Sequence, residues 1–187
     1  ECVKEMPKWV EPLHQLIKEK KIIAYHDRSD GGLICSLLEM AFAGRSGLDI
    51  KLDQICESYD QTFEALFNEE LGIVIQVPTK HIEEVLNLVS EVGLNKDVFR
   101  IASPNKSKLI KLYRGKELAF EWKLEDLLKE WNFVSYKMQS LRDNPETAKQ
   151  EYLFDTDEDR KGLSPKISYK VPKKITSLST RPSVAIL

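Results

Sequence analysis

Two adjacent glycines, Gly31 and Gly32, lie between two apolar segments, and this junction constrains the fold more than any other part of the chain. The segment before it, residues 22–25, is short and apolar with charged residues on both sides, which predicts a β-strand. Residues 33–43 after it are mostly apolar, which predicts a buried helix that ends at Gly44. The glycines therefore occupy a strand-to-helix turn, where they allow a ligand or another backbone segment to approach closely.

The polar residues of this turn can serve either the fold or a ligand. Ser29 or Asp30 can cap the exposed N–H groups at the start of the helix. Asp27 and Asp30 can hold Mg²⁺ that bridges to a phosphate, and the helix N-terminus itself favours an anion. From the residues alone, a Mg–nucleotide site and a capped turn both stay open, and capped turns are the more common arrangement. His26 likewise has two roles open, acid–base chemistry or orientation of the turn through hydrogen bonds.

The remaining pattern predicts an α+β fold, with a mixed sheet packed with helices. Strands and helices alternate irregularly, and residues 114–116 form a hairpin turn between the last two strands. Helices are predicted over residues 9–20, 61–70, 80–92 and 124–142, with a further helix opened by Pro145. Strands are predicted over residues 48–52, 72–77, 98–102, 108–113 and 118–122.

Four segments are predicted along the chain. Residues 1–122 form an α+β subdomain, and residues 123–160 form a helical connector. Residues 161–182 are rich in Pro, Ser, Thr and Lys, which is typical of a linker. Residues 183–187 turn apolar again and are expected to be the first strand of another domain, cut off. Since the chain also lacks an initiator Met, we expect it to begin inside a longer gene product.

Composition argues against several classes of partner. The 28 basic and 30 acidic residues nearly balance, so neither nucleic acid nor an anionic membrane is expected. No apolar run approaches the roughly 20 residues that span a bilayer. The three cysteines form no Cys-x-x-Cys pair, which argues against structural zinc and favours a reducing cytoplasm. Cys35 lies in the predicted buried helix and is expected to be structural rather than nucleophilic.

Two further features have alternative interpretations. A carboxylate of the Asn-Glu-Glu run at residues 68–70 can face a ligand cleft, or the run can be a solvated helix end before Gly72. In the predicted connector, an apolar stripe is expected to pack against a neighbouring domain rather than to hold a cofactor. The stripe contains Trp131, Met138 and Leu141.

Four sequence blocks, in order and at matching spacing, resemble the large, single-chain phosphoribosylformylglycinamidine synthases. They are YHDRSDGGL at 25–33, LEMAFAG at 38–44, GLDI at 47–50 and LFNEELG at 66–72. The first block is shared in part with the wider superfamily of ATP-dependent proteins similar to aminoimidazole ribonucleotide synthetase. Later matches extend the resemblance over essentially the whole chain, with SYKMQ at 135–139, LRDNP at 141–145 and RPSVAIL at 181–187.

This resemblance implies a cytoplasmic enzyme of purine biosynthesis. Members of the family convert formylglycinamide ribonucleotide, ATP and glutamine to formylglycinamidine ribonucleotide, ADP, phosphate and glutamate. The chain resembles the last C-terminal subdomain of the synthetase part, followed by the connector to the glutaminase domain. The other synthetase subdomains and the glutaminase are therefore the expected partners, and the chain by itself is expected to be inactive.

The resemblance also implies an auxiliary Mg–nucleotide site with Mg²⁺ and ATP or ADP as cofactors. Asp27 matches a Mg²⁺ ligand and Ser29 a nucleotide contact, and Gly31 and Gly32 complete the expected nucleotide-binding set. The remaining Mg²⁺ ligands are expected on the preceding N-like subdomain. No catalytic residue is expected within this chain. The alternative is a stand-alone nucleotide-binding or interaction module with the same superfamily fold.

Overall fold

Regular secondary structure extends from the first described residue to residue 156. The structure is a computed structural model that describes residues 2–56, 58–94, 96–157, 159–160 and 162–170. The helices are α1 (Cys2–Lys18), α2 (Gly32–Gly44), α3 (Thr62–Phe67), α4 (Ile82–Glu91), α5 (Leu124–Arg142) and α6 (Pro145–Thr156). The strands are β1 (Ala24–Asp27), β2 (Gly47–Lys51), β3 (Ile73–Gln76), β4 (Ala102–Asn105), β5 (Leu109–Arg114) and β6 (Glu117–Lys123).

The strands divide between a small sheet and a larger one. In the larger sheet the order is β4-β2-β5-β6, with β2 parallel to β5 and the other neighbours antiparallel. β5 and β6 form the expected hairpin around Gly115. This mixed sheet with packed helices confirms the predicted α+β class, although the sequence pattern did not separate β1 and β3 into a sheet of their own.

The small sheet positions the strand-to-helix turn. β1 and β3 pair antiparallel, and Asp27 at the end of β1 lies opposite Ile73 at the start of β3. An antiparallel pair brings the residues that leave one strand beside those that enter the other. Residues 28–31 therefore lie next to residues 68–72, about forty positions further along the chain.

Two hydrophobic clusters hold the elements together. The larger lies between α2, the four-stranded sheet and the start of α5, where Ile50 and Ile110 are fully buried. The smaller joins α1 to α4 and contains Leu16 and Val89. Helix α2 packs against α3, β1 and α5 and shares its hydrophobic cluster with the four-stranded sheet, as its mostly apolar sequence predicts.

Several predicted boundaries were wrong by a few residues. β1 lies two residues later than predicted, so that His26 and Asp27 belong to the strand. β4 begins at Ala102, where pairing with Ile50 starts, instead of spanning 98–102. α3 ends at Phe67 instead of residue 70, because Asn68 is extended and leads the chain back toward the turn. α2 includes Gly44, and the left-handed residue that ends it is Arg45.

Helix α5 has the predicted bounds and α6 begins as predicted. Leu124 and Leu128 of α5 are buried in the larger cluster. Asn144 caps α6 by accepting from the amides of Glu146 and Thr147, and Pro145 occupies its first turn. No helix among the described residues is long and apolar enough to cross a membrane.

The predicted apolar stripe of α5 lies at the surface. Trp131 is half-exposed, and Met138 and Leu141 are 67% and 90% exposed. Packing of this stripe against a neighbouring domain stays a prediction, as does the division at residues 122, 160 and 182. Residues 162–170 have no regular secondary structure, and the strand predicted over 183–187 lies outside the described residues.

Candidate functional site

The turn between β1 and α2 contains all the residues predicted to bind Mg²⁺ or nucleotide. Asp27 ends β1, and Ser29 follows it in the turn; both side chains are exposed to solvent. Gly31 is the N-cap of α2 and Gly32 its first residue, with φ of +80° and +74°. The possibility that Ser29 or Asp30 caps the helix is not realised, because Gly31 occupies the N-cap position and no side chain caps the helix there.

The two glycines are needed for close packing as well as for their backbone angles. A Cβ atom at Gly32 would lie 2.5 Å from the carbonyl carbon of Phe67 and 2.8 Å from the oxygen of Leu66. A Cβ atom at Gly31 would collide with the sulfur of Cys35. The sequence left open whether the glycines allow close approach of a ligand or of another backbone segment. At Gly32 the segment that approaches is backbone, at the end of α3.

Three hydrogen bonds tie this turn to residues 68–72. The amide of Arg28 donates to the Gly72 carbonyl at 2.8 Å, and its guanidinium Nε donates to the Asn68 carbonyl at 2.8 Å. The amide of Gly31 donates to the Glu69 carboxylate at 2.9 Å. The Asn-Glu-Glu run is therefore neither an ordinary helix end nor free in solvent, since it supports the turn from the opposite side.

Among the described residues, one side chain is hydrogen-bonded to the Asp27 carboxylate. The carboxylate accepts a hydrogen bond from the hydroxyl of Tyr25, two residues earlier on the same face of β1. This bond, with partial burial, raises the pKa of Tyr25 to about 12. The Asp27 carbonyl accepts from the hydroxyl of Ser36 at 3.0 Å, which joins the strand end to α2. Asp27 is thus held by its backbone and oriented by a neighbouring phenol, with its side chain at the surface.

His26 is engaged through both ring nitrogens. Nδ1 lies 2.6 Å from the Asp27 carbonyl oxygen, and Nε2 contacts the carboxylate of Glu39 on α2. The backbone bond to Asp27 is the main cause that raises the pKa of His26, and Glu39 adds to it against the opposing effect of burial. Two acceptors around one ring suit a doubly protonated imidazolium, and this geometry favours the orienting role over acid–base chemistry.

Cys35 has no feature of an activated thiol. It lies in α2 and is partly buried, and burial is the main cause that raises the pKa of its thiol. The nearby carboxylates of Glu39 and Glu69 raise that pKa further. A reactive cysteine needs the opposite environment, one that stabilises the thiolate.

Among the described residues no group of three or more His, Cys, Asp or Glu side chains is arranged to hold a metal ion. Asp27 fits the part of a single Mg²⁺ ligand, because it is an exposed carboxylate at a fixed strand end. Its surroundings also favour a bridging cation. Glu69 brings negative charge to the turn, and the Gly31 amide, which could otherwise meet a phosphate, already donates to it.

Tyr25, Glu39 and Glu69 support this turn and were not predicted to do so. The period-two alternation of a strand places Tyr25 beside Asp27, so this pair could have been found from the sequence. Glu39 and Glu69 lie 13 and 38 positions from their partners, and only the fold brings them together.

The family model described as AIR synthase related protein, C-terminal domain, matches residues 3–113 of the chain. The chain belongs to this family. The match includes the strand-to-helix turn and both sheets as far as β5. The α5 and α6 helices follow the matched AIR synthase related domain.

Curated and solved relatives agree with this assignment. Phosphoribosylformylglycinamidine synthase of Schizosaccharomyces pombe is 40% identical over 184 residues, which are 96% of this chain and 14% of that protein. The resemblance to these synthases is therefore confirmed, and the chain spans a small part of the curated relative's length.

Solved structures from Thermotoga maritima share the fold of the AIR synthase related domain. PurL complexed with ATP matches with a TM-score of 0.53 and 15% identity over 63% of this chain and 20% of that chain. PurL complexed with FGAR matches with a TM-score of 0.53 and 17% identity over 64% of this chain and 20% of that chain. At these identities the likeness concerns the fold.

Proposed function

We propose that this chain is part of an enzyme that converts formylglycinamide ribonucleotide, ATP and glutamine to formylglycinamidine ribonucleotide, ADP, phosphate and glutamate. The observation that carries the proposal is the 40% identity to phosphoribosylformylglycinamidine synthase, which runs along 184 residues. That length includes the α5–α6 region as well as the AIR synthase related domain at residues 3–113. A module that shared only the domain fold would not be expected to match through the connector.

Within that enzyme, the turn forms one wall of an auxiliary Mg–nucleotide site. Asp27 is the Mg²⁺ ligand of this chain, Ser29 and Gly31 lie against the nucleotide, and Gly32, which packs against α3, completes the turn that presents them. Support comes from the exposed position of Asp27 at a strand end and from its orientation by the Tyr25 hydroxyl. When bound, Mg²⁺ would offset the charge of the phosphates.

The chemistry itself takes place on other parts of the parent protein. No catalytic residue is assigned to this chain, and the chain by itself is inactive under this proposal. The further Mg²⁺ ligands come from another synthetase subdomain, and ammonia comes from a glutaminase domain that hydrolyses glutamine. The cytoplasm, where the substrates of purine biosynthesis are found, is the proposed location.

The test compares Asp27→Asn with Asp30→Asn in the full-length protein that contains this chain. Both variants remove one exposed carboxylate from the same turn, so net charge is matched. Loss of a side chain that only orients a metal ligand costs about 10- to 100-fold in metal affinity, so loss of the ligand itself should weaken Mg–ADP binding at least about tenfold.

Mg–ADP affinity is measured by calorimetry after bound nucleotide has been removed, and co-purifying nucleotide is quantified by chromatography. Asp27→Asn should lose nucleotide, whereas Asp30→Asn should bind it within about threefold of the wild type. Full nucleotide occupancy in Asp27→Asn would refute the role assigned to Asp27.

A further inference from the structure

Glu69 is an exposed glutamate whose carboxylate is bonded to the most constrained point of the turn. Its Oε1 accepts the amide of Gly31 at 2.9 Å, across 38 positions of sequence. Gly31 is the N-cap of α2, in the left-handed conformation and without a side chain that could satisfy backbone groups. Glu69 thus supplies, from outside the turn, the acceptor that the N3 carboxylate of a capping box gives to the N-cap amide, and it adds negative charge at the helix N-terminus.

We propose that Glu69 is a positioning residue that holds residues 28–31 in the geometry needed for Mg–nucleotide binding. The inference rests on the nucleotide site proposed above and assigns a residue to it that lies outside the turn. Glu69 acts on Gly31, and through it on Ser29, whose carbonyl accepts from the amide of Gly32 at 2.9 Å.

The Glu69–Gly31 hydrogen bond is one of two attachments between the turn and residues 68–72, which together we call the clamp. Arg28 is held at the other end of the turn by the carbonyls of Asn68 and Gly72. Without Glu69, the half of the turn next to α2 would lose its bond to the 68–72 segment while Arg28 kept its own. We expect a local loosening of Ser29 and Gly31 rather than loss of the fold, because Glu69 is exposed and outside both hydrophobic clusters.

A competing role predicts the opposite sign. If a nucleotide phosphate bound directly to the Gly31 amide, Glu69 would occupy the phosphate position and repel the ligand. Removal of its carboxylate would then tighten nucleotide binding. Under the positioning role, the phosphates meet this turn through the cation at Asp27, and removal of Glu69 weakens binding.

The experiment uses Glu69→Ala, Glu69→Gln and Glu70→Ala in the full-length protein, with Mg–ADP as the probe in calorimetry. Glutamine keeps an oxygen that can accept the Gly31 amide, whereas alanine removes it. Glu70 is the neighbouring exposed glutamate and is the control for net charge. Amide hydrogen exchange of residues 27–33 is measured on the same variants without nucleotide.

We expect Glu69→Ala to raise the Kd for Mg–ADP about fivefold and to speed exchange at Gly31, since one solvent-exposed hydrogen bond is lost. Glu69→Gln should recover most of both effects, and Glu70→Ala should behave like the wild type. Tighter binding by Glu69→Ala, or equal losses in the alanine and glutamine variants, would overturn the positioning role.

The two proposals fail in different ways. If the wild-type protein does not bind Mg–ADP, the proposed nucleotide site is refuted, and with it the function of Glu69 in ligand binding. If Glu69→Ala then still speeds exchange at Gly31, and Glu69→Gln restores it, Glu69 stabilises the turn but has no part in nucleotide binding. If the wild type binds and Asp27→Asn does not, unchanged binding by Glu69→Ala refutes only the role of Glu69.

Discussion

Replacement of Gly32 by alanine tests whether the turn is shaped by backbone packing. The new Cβ would lie 2.5 Å from the carbonyl carbon of Phe67 and 2.8 Å from the Leu66 oxygen, with φ at +74°. The left-handed conformation costs an alanine about 1–2 kcal/mol. Since the colliding atoms belong to the backbone of α3, relief requires displacement of a helix end, which costs about 1–3 kcal/mol more. We therefore expect Gly32→Ala to destabilise the domain by about 2–5 kcal/mol.

The control lies in the same helix. Gly44 has an ordinary helical conformation, and a Cβ atom there would meet nothing within 4 Å. Gly44→Ala should stabilise the domain by about 0.5–1 kcal/mol, because alanine loses less conformational entropy in a helix. The two substitutions add the same methyl group at opposite ends of α2, so their difference isolates the packing at Gly32.

Native-state hydrogen exchange of the α2 amides measures the effect in the full-length protein. The buried amides of this helix exchange through opening of the domain, and their protection reports its free energy. Protection should fall in Gly32→Ala and rise slightly in Gly44→Ala. A loss below about 1 kcal/mol for Gly32→Ala would refute the reasoning, since it would mean that α3 yields to the methyl group without cost.

Two further predictions concern pH and the core. The raised pKa of His26 means that its stabilising contribution is fully present below its unfolded pKa of about 6.5 and is lost as pH rises through the folded-state pKa. Hydrogen-exchange protection of β1 and α2, corrected for the intrinsic exchange rate, should therefore decrease as pH rises through that window. Glu39→Gln should lessen this decrease, because it removes the carboxylate that contacts His26. An unaltered pH dependence in Glu39→Gln would contradict a stabilising His26–Glu39 contact. Replacement of Ile50, which is 0% exposed, by alanine should lower the unfolding free energy of the domain by about 2–5 kcal/mol, whereas Leu163→Ala, at 96% exposure, should change it by less than about 0.5 kcal/mol. Urea denaturation monitored by exchange compares the two, and equal losses would refute the assigned core.

Local patterns in the sequence predicted most of the elements. Residues 33–43 are mostly apolar, with Ser36 and Glu39 as the hydrophilic exceptions, so the segment is stable only as a covered helix, which is α2. Asn144 followed by Pro145 combines a cap with a residue suited to the first helical turn, so the start of α6 was also predicted. Such features depend on neighbours within one or two turns of the chain.

Only the tertiary structure decided what surrounds the turn. Pairing of β1 with β3 sets Asp27 opposite Ile73, and this register brings Glu69 to the Gly31 amide. Neither the Asp27–Ile73 pairing nor the Glu69–Gly31 bond can be predicted from sequence periodicity, because each joins residues that are dozens of positions apart. The sequence by itself therefore determined the strand, the glycines, the helix and the family, whereas strand pairing determined that Gly32 faces the α3 backbone and that a distant glutamate holds the turn.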